Sequence, residues 1–120
     1  MMIEQAIFEY LSDQLPVPAL LEVPEVPSER FHKIPEAFVV FEKIGGSKTD
    51  HINYAAIALQ SYSTVNLYGA AALNEEVKEA MERLPEFVPD VSECRLTADT
   101  VFTDTSTKRY RYQCTFDIYY

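Results

Sequence analysis

Two strand-like apolar runs meet across a short glycine-bearing segment, and this join limits the fold more than any other stretch of the chain. The first run is Phe38-Val39-Val40-Phe41 with Glu42-Lys43 behind it; the second covers residues 52–63. Between them lies Ile44-Gly45-Gly46-Ser47-Lys48-Thr49-Asp50. Glycine takes positive φ without steric cost, so Gly45, Gly46, Ser47, Lys48, Thr49 and Asp50 are predicted to form a hairpin loop between strands over 37–44 and 52–62. Both strands are apolar on both faces: Ile57 and Leu59 fall on one side of the second, Ile52, Tyr54 and Tyr62 on the other. A strand of that kind is ordinarily covered twice, which predicts helices on one side and a partner on the other.

The flanking segments extend this hairpin into a larger sheet. Ile3, Ile7, Tyr10, Leu11 and Leu15 recur at helical spacing and predict an amphipathic helix over 2–14, ended by Pro16. Five of the seven prolines fall within 16–35, so that stretch reads as a connector. Within it Ala19-Leu20-Leu21-Glu22-Val23 reads as a short strand that its prolines confine to a sheet edge. Residues 64–84 carry a helical stripe of Leu67, Ala70, Leu73, Val77, Ala80 or Met81, and Leu84, with Ser63 or Thr64 as N-cap. Glu75, Glu76, Lys78, Glu79, Glu82 and Arg83 make the wet face.

Over 92–120 the alternation is the clearest in the chain. Cys94, Leu96, Ala98, Thr100 and Phe102 alternate with polar neighbours, as do Tyr110, Tyr112, Cys114, Phe116, Ile118 and Tyr120. That pattern predicts a second hairpin with one buried face, turning at Asp104-Thr105-Ser106. The fold class expected is α+β: an antiparallel or mixed sheet of about four to five strands with two helices packed on one face. A length of 120 residues suits one domain, 1–120.

Charge and cysteine content narrow the function classes. The formal net charge is −9, which opposes nucleic-acid binding through a basic surface. No apolar run approaches the ~20 residues that span a bilayer, and Met1-Met2-Ile3-Glu4-Gln5 lacks the basic start of a signal peptide, so neither membrane nor export is expected. Two cysteines are too few for a disulfide scaffold; Cys94 and Cys114 are expected as free, buried thiols on the core face of the last hairpin. A loop at Thr103-Asp104-Thr105 would set them directly opposite, and a two-residue shift would set them diagonally.

The remaining constellations favour structure over chemistry. Gly46-Ser47-Lys48-Thr49 imitates a phosphate loop, but Ser47 separates the glycine from the lysine and a strand, not a helix, follows. His32 and His51 are far apart in sequence and lack the companions of a zinc site. Neither cysteine has a base or an electropositive setting. Tyr110 and Tyr112 fall on the face opposite Arg109 and Arg111, so they do not form one base-stacking platform. No catalytic, cofactor-binding or metal-ligating residues are assigned, and the chain is not expected to be an enzyme.

Phe41-Glu42-Lys43-Ile44-Gly45-Gly46-Ser47, Asp50-His51-Ile52-Asn53, Ile57-Ala58-Leu59-Gln60-Ser61-Tyr62 and the helix from Leu67 to Val77 together resemble the tail-terminator and minor tail-component (neck) proteins of long-tailed bacteriophages and prophages. The N-terminal helix, the short strand ending at Val23-Pro24 and the C-terminal hairpin follow the same order. The resemblance implies an α+β subunit of a hexameric ring that caps the tail tube and joins it to the head. It also implies tail-tube and head-completion proteins as partners, DNA passing through the lumen without specific binding, and residence in the virion tail after assembly in the host cytoplasm. Residues 45–50 then become the expected subunit or tube contact. The competing class is a small cytosolic α+β ligand-binding or regulatory domain.

Overall fold

Apolar residues at three- and four-residue spacing form α1, Ile3–Gln14, as the sequence predicts. Ile3, Ile7, Tyr10 and Leu11 are its buried positions, and Leu15 leaves the helix in extended backbone ahead of Pro16. The computed structural model describes residues 2–24, 33–101, 103 and 109–120. Among these, α1 is followed by β1 (Ala19–Leu20), β2 (Ala37–Thr49), β3 (Ile52–Ser63), α2 (Leu67–Glu82), α3 (Leu84–Phe87), β4 (Glu93–Val101) and β5 (Tyr110–Tyr119). The strands make one mixed sheet in the order β1-β2-β3-β5-β4, with β1 parallel to β2 and the other neighbours antiparallel. β1 sits at the edge that its prolines require: the Pro18 carbonyl accepts from the Val39 amide at 2.9 Å.

The main core lies between the helices and one face of the sheet. Val39 and Phe41, Ala55, Ile57 and Leu59, and Cys114, Phe116 and Ile118 alternate toward Ile7 and Leu11 of α1 and Leu73, Val77 and Met81 of α2. The other face carries a smaller cluster of Leu20, Phe38, Val40 and Tyr62, with Val23 and Ile34 packed on it. Phe38 and Tyr62 stack at 4.7 Å between ring centroids. The partner expected over this part of the hairpin is therefore replaced by the chain's own connector.

Two local departures matter for the site. The N-cap of α2 is Asn66, whose Oδ1 accepts from the Gly69 amide at 2.7 Å. Ser63 instead shapes the preceding turn, its Oγ accepting from the amides of Val65 and Asn66. Leu67, placed in the stripe by periodicity, is 39% exposed, and Asn74 is buried in its stead. α2 ends at Glu82; Leu84 is buried from the separate turn α3, with Pro85 in its first turn.

β4 also breaks its alternation. A bulge between Leu96 and Ala98 inserts one residue, so Leu96 opposes Phe116 but Asp99 opposes Cys114. Asp99 thereby faces α2, where Lys78 Nζ donates to it at 2.6 Å and Asn74 Nδ2 at 2.8 Å. Thr100 opposes Gln113 on the other face, not the core face expected. Cys94 pairs with Ile118, so the two cysteines are neither opposite nor diagonal; both are free, and only Cys114 is buried as expected, Cys94 being half-buried at the sheet edge. Phe102 and the turn expected at Asp104-Thr105-Ser106 lie outside the described residues.

Candidate functional site: the hairpin arm

The segment expected to be a loop is mostly strand. β2 runs through Gly45, Gly46, Ser47, Lys48 and Thr49, pairing with β3 to the last rung, Thr49 opposite Ile52. The turn is the two residues Asp50 and His51, with φ of 49° and 68°. Positive φ at both central positions is the type I′ pattern that matches the twist of two antiparallel strands, and Asp and His tolerate that region better than most side chains. No described glycine has positive φ.

Gly46 serves close approach instead, whereas a Cβ on Gly45 would meet only Ala56 Cβ, at 4.0 Å. The register shifts between Lys43 and Gly45, leaving Ile44 as the extra residue of a bulge. A Cβ on Gly46 would stand 2.8 Å from Lys43 Cε and 3.0 Å from the Tyr54 carbonyl oxygen. The space a side chain would fill is thus occupied by the Lys43 chain lying along the arm. Turn-permitting residues and residues that admit a neighbour look alike in sequence, and here the second role holds.

The register sorts the arm into two faces. Ile57 and Ala55 face the helices, so their partners Lys43 and Gly46 do too, as does Lys48 opposite Asn53. Ser47 and Thr49, opposite Tyr54 and Ile52, take the other face. There they line a shallow pocket of about 420 Å³ with Asp50, Ile52, Tyr54 and Tyr119. The Tyr54 and Tyr119 rings lie 5.3 Å apart, and Tyr54 Oη donates to Asp117 Oδ1 at 2.7 Å. That bond to a carboxylate holds the Tyr54 phenol above its ordinary pKa, with burial adding to it.

Every residue from Glu42 to Ile52 is exposed, including Ile44 at 55% and Ile52 at 54%. β3 is paired on both sides as far as Asn53, which exchanges backbone hydrogen bonds with Tyr120 at 2.7 and 2.9 Å. β1 pairs only with Val39 and Val40, so among the described residues the outer edge of β2 beyond them meets no strand. The bulge at Ile44 and the flanking lysines are features that discourage indiscriminate strand addition at such an edge.

The charges on the arm are set apart as well. Lys78 is tied to Glu75 and Asp99, Arg83 to Glu86 and Arg95 to Glu93. Among the described residues Lys43 and Lys48 have no such partner. Lys43, Ile44, Ile52, Tyr54 and Tyr119 join the site although only 45–50 was expected there. Ile44 and Ile52 were legible as strand residues; that no core lies against them depends on where the helices end.

Elsewhere, His51 occupies the turn and His32 lies outside the described residues. Burial pushes both thiols up to about 12, with the neighbouring Cys114 adding to Cys94 and Asp99 to Cys114. No protein-family model and no curated protein matches the chain.

Proposed function

We propose that the protein is a structural subunit of a long-tailed phage or prophage tail: a terminator that closes into a hexameric ring, caps the tail tube and joins it to the head. The observation that carries this reading is the arm, a paired hairpin that leaves the core with two isoleucines exposed and two exposed lysines that have no ion-pair partner among the described residues. An ordered, solvated hairpin that exposes two isoleucines among polar residues is a contact element awaiting a protein surface. The order of helix, edge strand, hairpin, helix and hairpin supports it, being the order of the proteins the sequence resembles.

In this reading the chain performs no catalysis. Its partners are further copies of itself, the tube protein and the head-completion proteins. With a net charge of −9, a ring of such subunits would repel the DNA that passes through it rather than hold it. Its place is the virion tail, reached after assembly in the host cytoplasm. Among the described residues no helix is long and apolar enough to cross a membrane.

The pocket beside Tyr54 and Tyr119 favours the second reading, a ligand-binding domain. Analytical ultracentrifugation and negative-stain microscopy of the pure protein, alone and with tail-tube protein, separate the two. Rings that end tube growth are expected. A salt-insensitive dimer that leaves tubes growing and binds a small molecule would replace the first reading by the second.

A further inference from the structure

Resting on the ring reading, we infer that the arm of one copy docks in a groove between α1 and α2 of the next copy. The groove has a volume of about 430 Å³ and runs between the end of α1 and the outer face of α2. Its apolar lining comes from Pro16 with the nearly buried Leu15 and Ala80; Glu76, Glu79 and Glu82 make it acidic on balance, against one lining cation, Arg83, which is already paired with Glu86. The arm offers the complementary set: exposed Ile44 between Lys43 and Lys48, both lysines on the side of the sheet that faces the helices.

Charge decides the occupant. A chain of net charge −9 repels its own copies over most of its surface. On the helix-facing side of the arm stand two lysines with no ion-pair partner among the described residues, and among those residues the α2 face is where carboxylates are densest. Juxtaposing them turns the approach of two like-charged copies from repulsive to attractive at one defined contact. Arm and groove are different surfaces of one chain, so the contact is head-to-tail, the kind that propagates and closes into a ring when the rotation allows.

The test is a charge exchange between two variants of the full chain. The arm variant carries Lys43→Glu and Lys48→Glu; the groove variant carries Glu76→Lys and Glu79→Lys. All four positions are exposed, so both variants should keep the wild-type circular dichroism. Alone, each should self-associate roughly 10- to 100-fold more weakly than wild type by sedimentation velocity. Mixed in equal amounts they should recover assembly, because each variant's arm then meets an oppositely charged groove.

The groove variant is the sharp arm of the test. It is less acidic than wild type, so general repulsion alone would make it assemble better; that result would overturn the inference. So would two weakened variants that fail to rescue each other. Wild-type rings matched by equally good rings from both variants would remove this contact and leave the ring reading standing. A wild-type dimer that obeys the charge exchange would keep the contact and remove the ring. A wild-type monomer at all concentrations, with or without tube protein, would remove both.

Discussion

Phe41 and Ile44 lie three residues apart on one strand, and β3 pairs with the backbone on either side of both. Phe41 is fully buried, whereas Ile44 is more than half exposed. The ladder continues while the core stops, so hydrogen bonding carries the hairpin outward past the point where packing supports it. Net hydrogen-bond gains are modest beside the burial of a large side chain, and a segment held by the ladder alone opens at lower free energy than the sheet it extends. The inner half of β2 is packed into the core; the outer half stands in solvent.

The largest test of that division is a pair of truncations. Phe41→Ala empties a fully buried site and should cost about 3–5 kcal/mol in urea unfolding. Ile44→Ala should stay within about 0.5 kcal/mol, as exposed positions do. Similar losses from the two would erase the boundary between core and arm.

The second test concerns the polar contact that the bulge in β4 creates. Burial works to raise the Asp99 pKa, but the hydrogen bonds from Lys78 and Asn74 outweigh it and hold the carboxyl below its ordinary range. Lys78 is held above its own range by hydrogen bonds from its ammonium to Asp99 and Glu75, against burial. A lowered carboxylate contributes stability above its unfolded pKa and loses it as pH falls through the folded value. A raised lysine contributes below its unfolded pKa and loses it as pH rises through the folded one. Asp99→Asn should therefore cost only about 0.5–1 kcal/mol near neutrality, because the carboxylate is itself exposed and solvent screens it, with the gap to wild type narrowing in acid. A gap constant down to acid pH would mean that the carboxylate charge does not matter there.

Much of this was legible. The 3.6-residue spacing of Ile3, Ile7, Tyr10 and Leu11 gave α1, and the alternation from Tyr110 to Tyr120 gave β5 with its buried Cys114, Phe116 and Ile118. The prolines around Ala19 and Leu20 gave an edge strand. In the strands, what failed did so because alternation counts residues, and a bulge adds one without a mark in sequence. The extra residue after Leu96 turned Asp99 toward α2, and the one at Ile44 let β2 run on through two glycines. For the site, Gly45 to Asp50 was found as a segment, but its form was missed because a glycine read as a turn was admitting the Lys43 side chain.

Thiol chemistry sharpens the comparison further. With both native thiols pushed up to about 12, chiefly by burial, the folded wild type should show no reactive thiol at neutral pH and two after unfolding. Ile44→Cys places a third thiol on the exposed arm, and it should be labelled fully in the folded protein. Labelling of the buried Cys114 at the rate of that arm thiol would show that the core opens as readily as the arm.

The smallest expected effect lies at the tip. His51 holds a φ of 68° and Asp50 one of 49°, a region that costs an ordinary L-residue roughly 1–2 kcal/mol and glycine nothing. His51→Gly gives the Asp-Gly pair that this turn favours, but it also frees the unfolded chain by roughly 0.4–1 kcal/mol. The strain relieved is slightly the larger, so the urea midpoint should rise a little. Hydrogen exchange shows where the arm opens, because the turn is broken both when the arm opens alone and when the whole chain unfolds, and the gain therefore protects both sets of amides alike. In wild type and in His51→Gly the amides of the outer half of β2 should exchange well ahead of those of Val39, Phe41 and Phe116, with both sets slightly slower in the variant. If the outer amides exchanged as slowly as those core amides, arm and core would be opening as one unit, and the outer half of β2 would have no independence from the core.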